Sequence, residues 1–261
     1  MSSSIINRCF AILEALADSR EGQSLGTLAE RTGMPKSAVH RMLAALLEAG
    51  YAVQLPSRDY KLTLKLPGLG LRYLSNTDLL KECQPVLDGL ARDLGELVRL
   101  ALVEAESLVW IGKAQGARSG LLVDPVMGHQ VVLHATATGK VWLSSLSTED
   151  ALRIVFRHGF GTNDPNILQG PKVKTTVEEL QAELKATAAR GYGLAEEEAE
   201  PGISALAVPI RGRDGQTVVG TLSIAGPSAR LTHKQLLACL PQLRHASAQL
   251  TGLDVLRDLT P

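Results

Sequence analysis

The apolar residues of the first 50 positions recur at spacings of three and four, the period of an amphipathic helix. Three runs follow this period, with apolar positions at Ile5, Ile6, Cys9, Ile12, Leu13 and Leu16, at Leu25, Leu28 and Ala29, and at Val39, Met42, Leu43, Leu46 and Leu47. Ser24 and Ser37 stand where N-caps are expected. Gly33 and Gly50 stand where helices end. Residues 24–50 are therefore predicted to be two short helices joined by a tight turn, the unit that places a helix in the DNA major groove.

After Gly50 the apolar period changes from helical spacing to alternation. The alternating residues are Tyr51, Val53 and Leu55 before a Pro-Ser-Arg-Asp turn, and Tyr60, Leu62 and Leu64 after it. This pattern predicts a β-hairpin. Three helices followed by a hairpin form a winged helix-turn-helix, with Arg58 at the tip of the wing.

The polar face of the third predicted helix carries short and cationic side chains near its N-terminus, which suit contacts with phosphates and base edges. Every amphipathic helix has a solvated polar face, so this face alone does not decide between DNA binding and simple solvation. The order of the elements and the hairpin favour DNA binding. We expect DNA contacts from Ser24, Thr27, Lys36, Ser37, His40, Arg41 and Arg58.

The composition is that of an ordinary globular protein, with 45% hydrophobic residues, 21% charged residues and a net charge of zero. Residues 1–75 contain nine Lys or Arg and six Asp or Glu, whereas residues 76–261 contain 18 and 21. The basic excess lies with the predicted helix pair and mildly supports nucleic-acid binding there. Three distant cysteines, no run of 18 apolar residues and no signal-like N-terminus lead us to expect a cytoplasmic protein.

A helical apolar repeat runs from Leu79 to Leu94, and Pro85 lies inside it. Because proline removes a backbone N–H and crowds the preceding turn, we expect two helical pieces with a break near Gln84. The apolar face could be a dimer seam or the cover of the following domain, and after Pro85 packing within the chain is favoured. The expected organisation is a DNA-binding domain over 1–75, a linker helix region over 76–95 and a second domain over 96–261.

The second domain mixes strand-like and helical segments. Strand-like segments occur at 97–103, 108–114, 121–123, 203–210 and 218–224, and helical segments at about 137–146, 148–158, 176–190 and 232–252. Asp214-Gly215 is a short turn between two of these strands, which predicts antiparallel pairing. The expected fold class is α+β, with an antiparallel sheet that offers a concave face to a small ligand.

The stretch from His134 to Lys140 is similar to a phosphate loop, but it has His where Gly is required and Val141 where Ser or Thr is required. We therefore reject nucleotide hydrolysis. The backbone amides of Ala137, Thr138 and Gly139 at the start of a helix could instead bind an anion. An ordinary turn into a helix would show the same residue pattern, so the pattern alone does not decide between the two.

Other polar residues give no catalytic pattern. The acidic run over 196–200 is expected to be a solvated loop, because charge runs usually are. Ser204 is not in a nucleophile-elbow motif, and Cys83, His129, His134 and His158 lack the spacing of zinc ligands. We expect no enzyme activity, no metal and no cofactor.

Segments along nearly the whole chain resemble the IclR family of bacterial transcriptional regulators. They are LAERTGMPKSAVHRMLAALLEAGY in the first part, and LHATATGKVWLSSL, ARGYGLAEEEAEPGISALAVPI and GTLSIAGPSARLT in the second. The resemblance implies a winged helix-turn-helix, a linker helix and a GAF-like effector-binding domain. It also implies a homodimer or tetramer that binds double-stranded DNA at promoter operators and responds to a small metabolite, often an organic acid.

The resemblance also assigns residues. Lys36, Ser37, His40 and Arg41 would contact the operator, and Ala38 stands where the family usually has Thr, which removes one hydroxyl contact. The effector pocket would be lined by Leu121, Ala137, Thr138, Ala195, Ala205, Ser223 and Ala225.

Ala195, Ala205 and Ala225 stand at places where family members that bind small oxoacids tend to have Asp, Cys or Ser, so we expect a roomy, apolar pocket for an aromatic or longer carboxylate. The amides of residues 137–139 and the hydroxyl of Ser223 would hold its acid group. One alternative stays open, a second domain that only oligomerises without a ligand. An enzyme that has acquired a DNA-binding module would need a catalytic constellation, and the sequence shows none.

Overall fold

The computed structural model describes residues 4–118, 120–123, 131–160 and 170–257. The chain forms two compact units, Met1–Asn76 and Thr77–Pro261. Among the described residues, none of the helices combines the length and the apolar character that crossing a membrane requires.

The first unit contains three helices, a small hairpin and a fourth helix. They are α1 (Ile5–Ala17), α2 (Leu25–Thr32), α3 (Lys36–Glu48), β1 (Ala52–Gln54), β2 (Tyr60–Leu62) and α4 (Lys65–Asn76). β1 and β2 pair antiparallel, with Val53 opposite Lys61. The apolar faces of α1, α2 and α3 meet in one core around Ile12, Leu28 and Val39. The predicted winged helix-turn-helix is confirmed.

The caps decide where these helices begin and end. Ser24 caps α2, because its Oγ accepts a hydrogen bond of 3.1 Å from the Thr27 N–H. Gly33 ends this helix in the left-handed conformation, with a φ of 63°. The cap predicted for Ser37 is wrong: Pro35 occupies the N-cap position of α3, with a φ of −56° and no side-chain cap. Proline already holds a helix-compatible φ, so α3 begins before Ser37 and includes it.

The sequence pattern did not predict α4 as a separate helix. None of its side chains is buried, and Leu71 and Tyr73 are mostly exposed. Asp78 follows in the left-handed conformation, with a φ of 51°. This residue separates α4 from α5 (Leu79–Leu94), the first helix of the second unit.

The helix α5 runs unbroken through Pro85, so the predicted division into two pieces is wrong. A proline in a helix interior costs about 3 kcal/mol. Side chains on both sides of Pro85 are buried, and burying each large apolar side chain stabilises the fold by about 1.5–3 kcal/mol, which offsets this cost. The buried residues are Leu79, Cys83, Leu87, Leu90 and Ala91. All five pack into the core of the second unit, as the sequence favoured for the part after Pro85 only.

The second unit is built on a five-stranded antiparallel sheet with the strand order β4-β3-β7-β6-β5. Its strands are β3 (Leu97–Glu104), β4 (Ser107–Gln115), β5 (Gly193–Glu196), β6 (Ile203–Arg211) and β7 (Val218–Pro227). Its further helices are α6 (Ala137–Leu143), α7 (Thr148–Arg157), α8 (Val177–Arg190), α9 (His233–Thr251) and α10 (Asp254–Arg257). The predicted α+β class is confirmed.

The two faces of the sheet are covered by different helices. Leu100, Leu206 and Leu222 belong to a core that also contains side chains of α5 and α9. On the other face, α6 contacts β5, β6 and β7. Along each strand, alternate side chains therefore belong to different layers.

Two strand predictions fail. Residues 121–123 form no strand, and their apolar residues Leu121 and Leu122 are largely exposed. β5 was missed because its four residues are too few for an alternating pattern to be recognised.

Candidate functional site

The first candidate surface is the exposed side of α3. Lys36, Ser37, His40 and Arg41 are all exposed, whereas Val39 is buried in the core. The four predicted residues therefore share one polar helix face that is exposed to solvent in the described part of the chain. Their side chains present donors and a cation near the N-terminus of the helix, which suits both phosphate and base-edge contacts.

Ala38 does not belong to this face. Its side chain is buried, so the missing hydroxyl removes no group from the exposed side of α3. The expectation that Ala38 costs the protein a DNA contact is therefore wrong.

The wing places Arg58 at its tip, as predicted. The Arg58 N–H donates to the Leu55 carbonyl over 2.8 Å, and the Gln54 amide donates to the Arg58 carbonyl over 3.2 Å. Arg58 adopts a left-handed φ of 69° and its side chain is exposed. At the start of α2, the exposed hydroxyls of Ser24 and Thr27 lie 3.0 Å apart, so each already has a partner.

One residue that supports α3 was not singled out from the sequence. The Lys65 ammonium donates to the Ala49 carbonyl at the end of α3 over 2.6 Å and lies 4.7 Å from the centre of the Tyr51 ring. A cation at a helix C-terminus also interacts favourably with the helix dipole.

The second candidate site lies on the α6 side of the sheet. Ala195 is paired with Ala205, which is paired with Ala225, so three predicted pocket residues form a row across three strands. Ala137 and Val141 of α6 belong to the same buried cluster. The structure thus brings together four of the predicted residues.

The small residues of this row allow α6 to lie close to the sheet. A Cβ added at Gly193, next to the row, would be 2.3 Å from the Ala137 carbonyl oxygen. Part of the space left by small side chains is therefore occupied by α6. The expectation of a roomy pocket at these alanines is correspondingly weakened.

Two predicted pocket residues have other roles. The Gly139 N–H donates to Oγ1 of Thr136 over 3.0 Å, and a Cβ at Gly139 would be 2.2 Å from the Leu133 carbonyl oxygen. The Gly139 N–H is therefore already hydrogen-bonded to the N-cap residue, and the glycine allows close packing against the Leu133 backbone. Leu121 is 68% exposed and does not line a buried site. The predicted anion site at the start of α6 therefore loses one of its three amides.

Polar groups of the site lie instead on β3 and β7. Thr221 and Ser223 are at most 1% exposed, and their hydroxyls have no hydrogen-bond partner among the described residues. Arg99 is directly opposite Ser223. Its Nε is buried and, within the described part of the chain, also lacks a partner.

The environment of Arg99 is largely apolar. Burial lowers its pKa to about 10, an effect that the charge of Glu200 opposes. The Cζ atom of Arg99 lies 4.0 Å from the centre of the Trp110 ring. Arg99 was not predicted as a site residue, although an arginine in the middle of the apolar strand LVRLALV is a visible signal.

A buried ion pair lies beneath the site. The Lys140 ammonium is completely buried and donates to both carboxylate oxygens of Glu198, over 2.7 and 2.6 Å, and to the Leu194 carbonyl over 2.8 Å. Burial lowers the pKa of Lys140 and raises the pKa of Glu198, and the opposite charge of each partner counteracts both shifts. The expectation of a solvated acidic loop is therefore wrong for Glu198.

The residues considered for zinc are dispersed. Cys83 lies in the core between the sheet and α5, and burial raises its pKa to about 12. His134 is buried edge-on against Phe160, and burial lowers its pKa to about 4. His129 lies outside the described residues. Across the ranges that the structure describes, no three His, Cys, Asp or Glu residues are grouped to hold a metal ion.

Two family models match the chain. The IclR helix-turn-helix domain matches residues 6–56, and the bacterial transcriptional regulator IclR C-terminal domain matches residues 71–251. The chain is similar to the HTH-type transcriptional regulator KdgR of Escherichia coli (strain K12), with 31% identity over 252 residues, 96% of this chain and 92% of that protein.

Two solved structures are similar to this chain over almost their full length. A crystal structure from Silicibacter sp. TM1040, described as an IclR transcriptional regulator, matches with a TM-score of 0.81 and 25% identity, covering 99% of this chain and 98% of that one. An IclR homolog from Microbacterium hydrocarbonoxydans, complexed with 4-hydroxybenzoate, matches with a TM-score of 0.74 and 22% identity over 98% and 100%.

Proposed function

We propose that this chain, which belongs to the IclR family of bacterial transcriptional regulators, changes its operator affinity when a small organic acid binds its second unit. The protein is a DNA-binding regulator and not an enzyme. The effector site is the sheet face around Ala205, Ser223 and Thr221, next to Ala137 and Thr138 of α6. We place the protein in the cytoplasm, where its DNA is.

The observation that carries the effector proposal is the pair of hydroxyls on β7. Thr221 and Ser223 are buried with no partner among the described residues, and a buried hydroxyl without a hydrogen bond is costly. A polar ligand at this face would satisfy them. The alanines beside them would contact its apolar part. The 4-hydroxybenzoate held by a homolog of the same fold supports an aromatic acid as one candidate.

We propose that the operator is contacted by α3 and the wing. Lys36, Ser37, His40 and Arg41 would enter the major groove, and Arg58 would contact the backbone beside it. Ser24 and Thr27 lie at the N-terminus of α2, where a hydroxyl pair and the helix dipole suit a phosphate.

We also propose a homodimer formed through the first unit. Ile5, Ile6 and Phe10 on α1 are between 55% and 75% exposed, and Leu71 and Tyr73 on α4 are at least 65% exposed. Apolar surface of this kind in a small unit is typical of an interface. Sedimentation velocity should detect a species of two chains, or of four if the second unit also associates; a monomer at micromolar concentration would contradict the proposal.

Fluorescence anisotropy with the DNA upstream of its own gene, titrated with organic acids, tests the whole proposal. An effector at 100 times its Kd stabilises the folded state by about 2.7 kcal/mol. That corresponds to a rise in Tm of roughly 5–10 °C for a unit of this size. If no acid changes either the Tm or the operator affinity, the second unit serves only for oligomerisation.

The Arg41→Ala variant tests the DNA surface. If Arg41 reads a base edge, the variant should bind the operator more weakly by about 1–3 kcal/mol and discriminate less against unrelated DNA. Arg20→Ala, an exposed arginine outside α3 and the wing, is the matched control. An equal loss on operator and unrelated DNA would mean that Arg41 contacts only phosphate.

A further inference from the structure

Arg99 is a charged residue in the middle of a strand that is paired on both sides. β3 lies between β4 and β7, and the neighbours of Arg99 along the strand, Val98 and Leu100, are completely buried. Among the described residues, its buried Nε has no hydrogen-bond partner. A guanidinium in such a position destabilises the folded protein unless a partner group is supplied.

The groups across the sheet are unsatisfied as well. Ser223 is the direct cross-strand partner of Arg99, and Thr221 lies two residues away on the same face. Buried polar atoms without partners are uncommon in native proteins. Three of them on one face of two adjacent strands indicate a place that a polar ligand completes.

Trp110 sets the direction in which Arg99 can bind. The ring packs within 4.0 Å of the guanidinium Cζ and is itself buried in the core with Trp142. Stacking on an aromatic ring covers one flat face of a guanidinium. The N–H donors lie in the plane of the group, so its edge stays available to an acceptor with the planar geometry of a carboxylate.

We propose that Arg99 makes the effector site select anions. The Arg99 Nε–H donates to one carboxylate oxygen of the effector, and the Ser223 hydroxyl donates to the same carboxylate. The apolar part of the effector extends over the alanines of β6. This inference rests on the effector site proposed above and adds the residue that discriminates a carboxylate from its neutral analogues.

The inference predicts how neutral ligands behave. A primary amide has nearly the shape of the acid but offers the guanidinium no charged acceptor. A hydrogen bond to a charged group contributes about 1.5–3 kcal/mol, which corresponds to a Kd ratio of roughly 10 to 150. The wild-type protein should therefore bind each acid about 10 to 150 times more tightly than its amide.

Isothermal titration of the full chain tests this with benzoate, 4-hydroxybenzoate, pyruvate and adipate, each beside its amide. In Arg99→Met the preference for the acid should disappear, and Arg99→Lys, which keeps the charge, should retain part of it. Arg92→Gln, an exposed arginine on α5, is the control and should bind as the wild type does. The ligand-free Arg99→Met protein should have an unchanged or higher Tm, because a desolvated guanidinium whose Nε–H lacks a partner is removed.

Each contrary result has a distinct meaning. Equal affinity for an acid and its amide, or undiminished acid preference in Arg99→Met, would overturn the role of Arg99 while the effector site itself stands. A large fall in the Tm of ligand-free Arg99→Met would assign Arg99 a structural role and overturn the inference. Absence of binding by all eight compounds to the wild type would refute the effector site together with it.

Discussion

The buried pair of Lys140 and Glu198 should be a main determinant of the stability of the second unit. The substitution Glu198→Gln keeps the shape of the side chain and removes its charge. Lys140 then keeps the Leu194 carbonyl at 2.8 Å and the Glu183 carboxylate, which is shared with Arg190, at 3.6 Å. We expect the free energy of unfolding to fall by about 3 kcal/mol, the lower end of the range for a buried pair that loses one partner.

The magnitude follows from the distances. Unit charges about 2.7 Å apart attract each other by roughly 6 kcal/mol at an effective dielectric constant of 20. Removing each ion from water costs several kcal/mol, so most of this attraction is offset in the native protein. In the variant the cost of burying the Lys140 ammonium remains, while its main compensation is lost. The interaction with Glu183 keeps the expected loss near 3 kcal/mol.

Urea denaturation followed by tryptophan fluorescence measures this change selectively, because Trp110 and Trp142 are the two tryptophans of the chain and both lie in the second unit. Glu197→Gln is the matched control. Glu197 is the neighbouring residue, its ion pair with Lys172 is partly solvent-exposed, and the expected loss is below about 1 kcal/mol.

The double variant Lys140→Met/Glu198→Met should recover most of the lost stability, since apolar residues of similar volume often replace buried pairs without loss. If Glu198→Gln is as stable as Glu197→Gln, the pair is not coupled to folding and the reasoning is refuted.

Two further predictions use the same urea assay. Gly139→Ala should lower the free energy of unfolding by about 2 kcal/mol or more, because its Cβ would be 2.2 Å from the Leu133 carbonyl; a neutral effect would contradict this. The pKa of His134 is about 4 in the folded protein and 6.5 in the unfolded chain. As the pH falls, the unfolded chain is therefore protonated before the folded protein is. Stability should fall as the pH drops from 6.5 towards 4, by about 2 kcal/mol at pH 5, and His134→Leu should abolish that part of the decline.

Much of the fold could be predicted from the sequence because its periods are regular. The helices α1 to α3, the wing and four of the five sheet strands follow apolar spacing, and the glycine after α2 marks its end. The failures have local physical causes. Pro85 does not break α5, because tertiary packing outweighs the local penalty. The helix α4 contains Pro67, Gly68 and Gly70, residues with poor helix propensity, so the local sequence did not indicate a helix there.

The site was less predictable than the fold. Spacing alone cannot show that Glu198, in the middle of an acidic run, meets Lys140 from a helix 58 residues earlier. The unsatisfied state of Arg99 depends on which residues oppose it across two strand pairings, and that register is a tertiary property. Ser223 was singled out only through the family resemblance, and its buried, unpartnered hydroxyl became visible in the structure.

Successive side chains of the central strand β7 belong to two different layers of the second unit. Positions 221, 223 and 225 face the α6 side of the sheet, where we propose the effector site, while Leu222 and Ile224 lie in the core beneath α5 and α9. Substitutions at the three odd-numbered positions leave the side chains of the α5 and α9 core unchanged, so descendants can acquire new ligand preferences without repacking that core. A one-residue insertion or deletion in β7 would exchange the two sets at once. Divergence within this family can thus proceed by point substitution along one strand whose length is fixed.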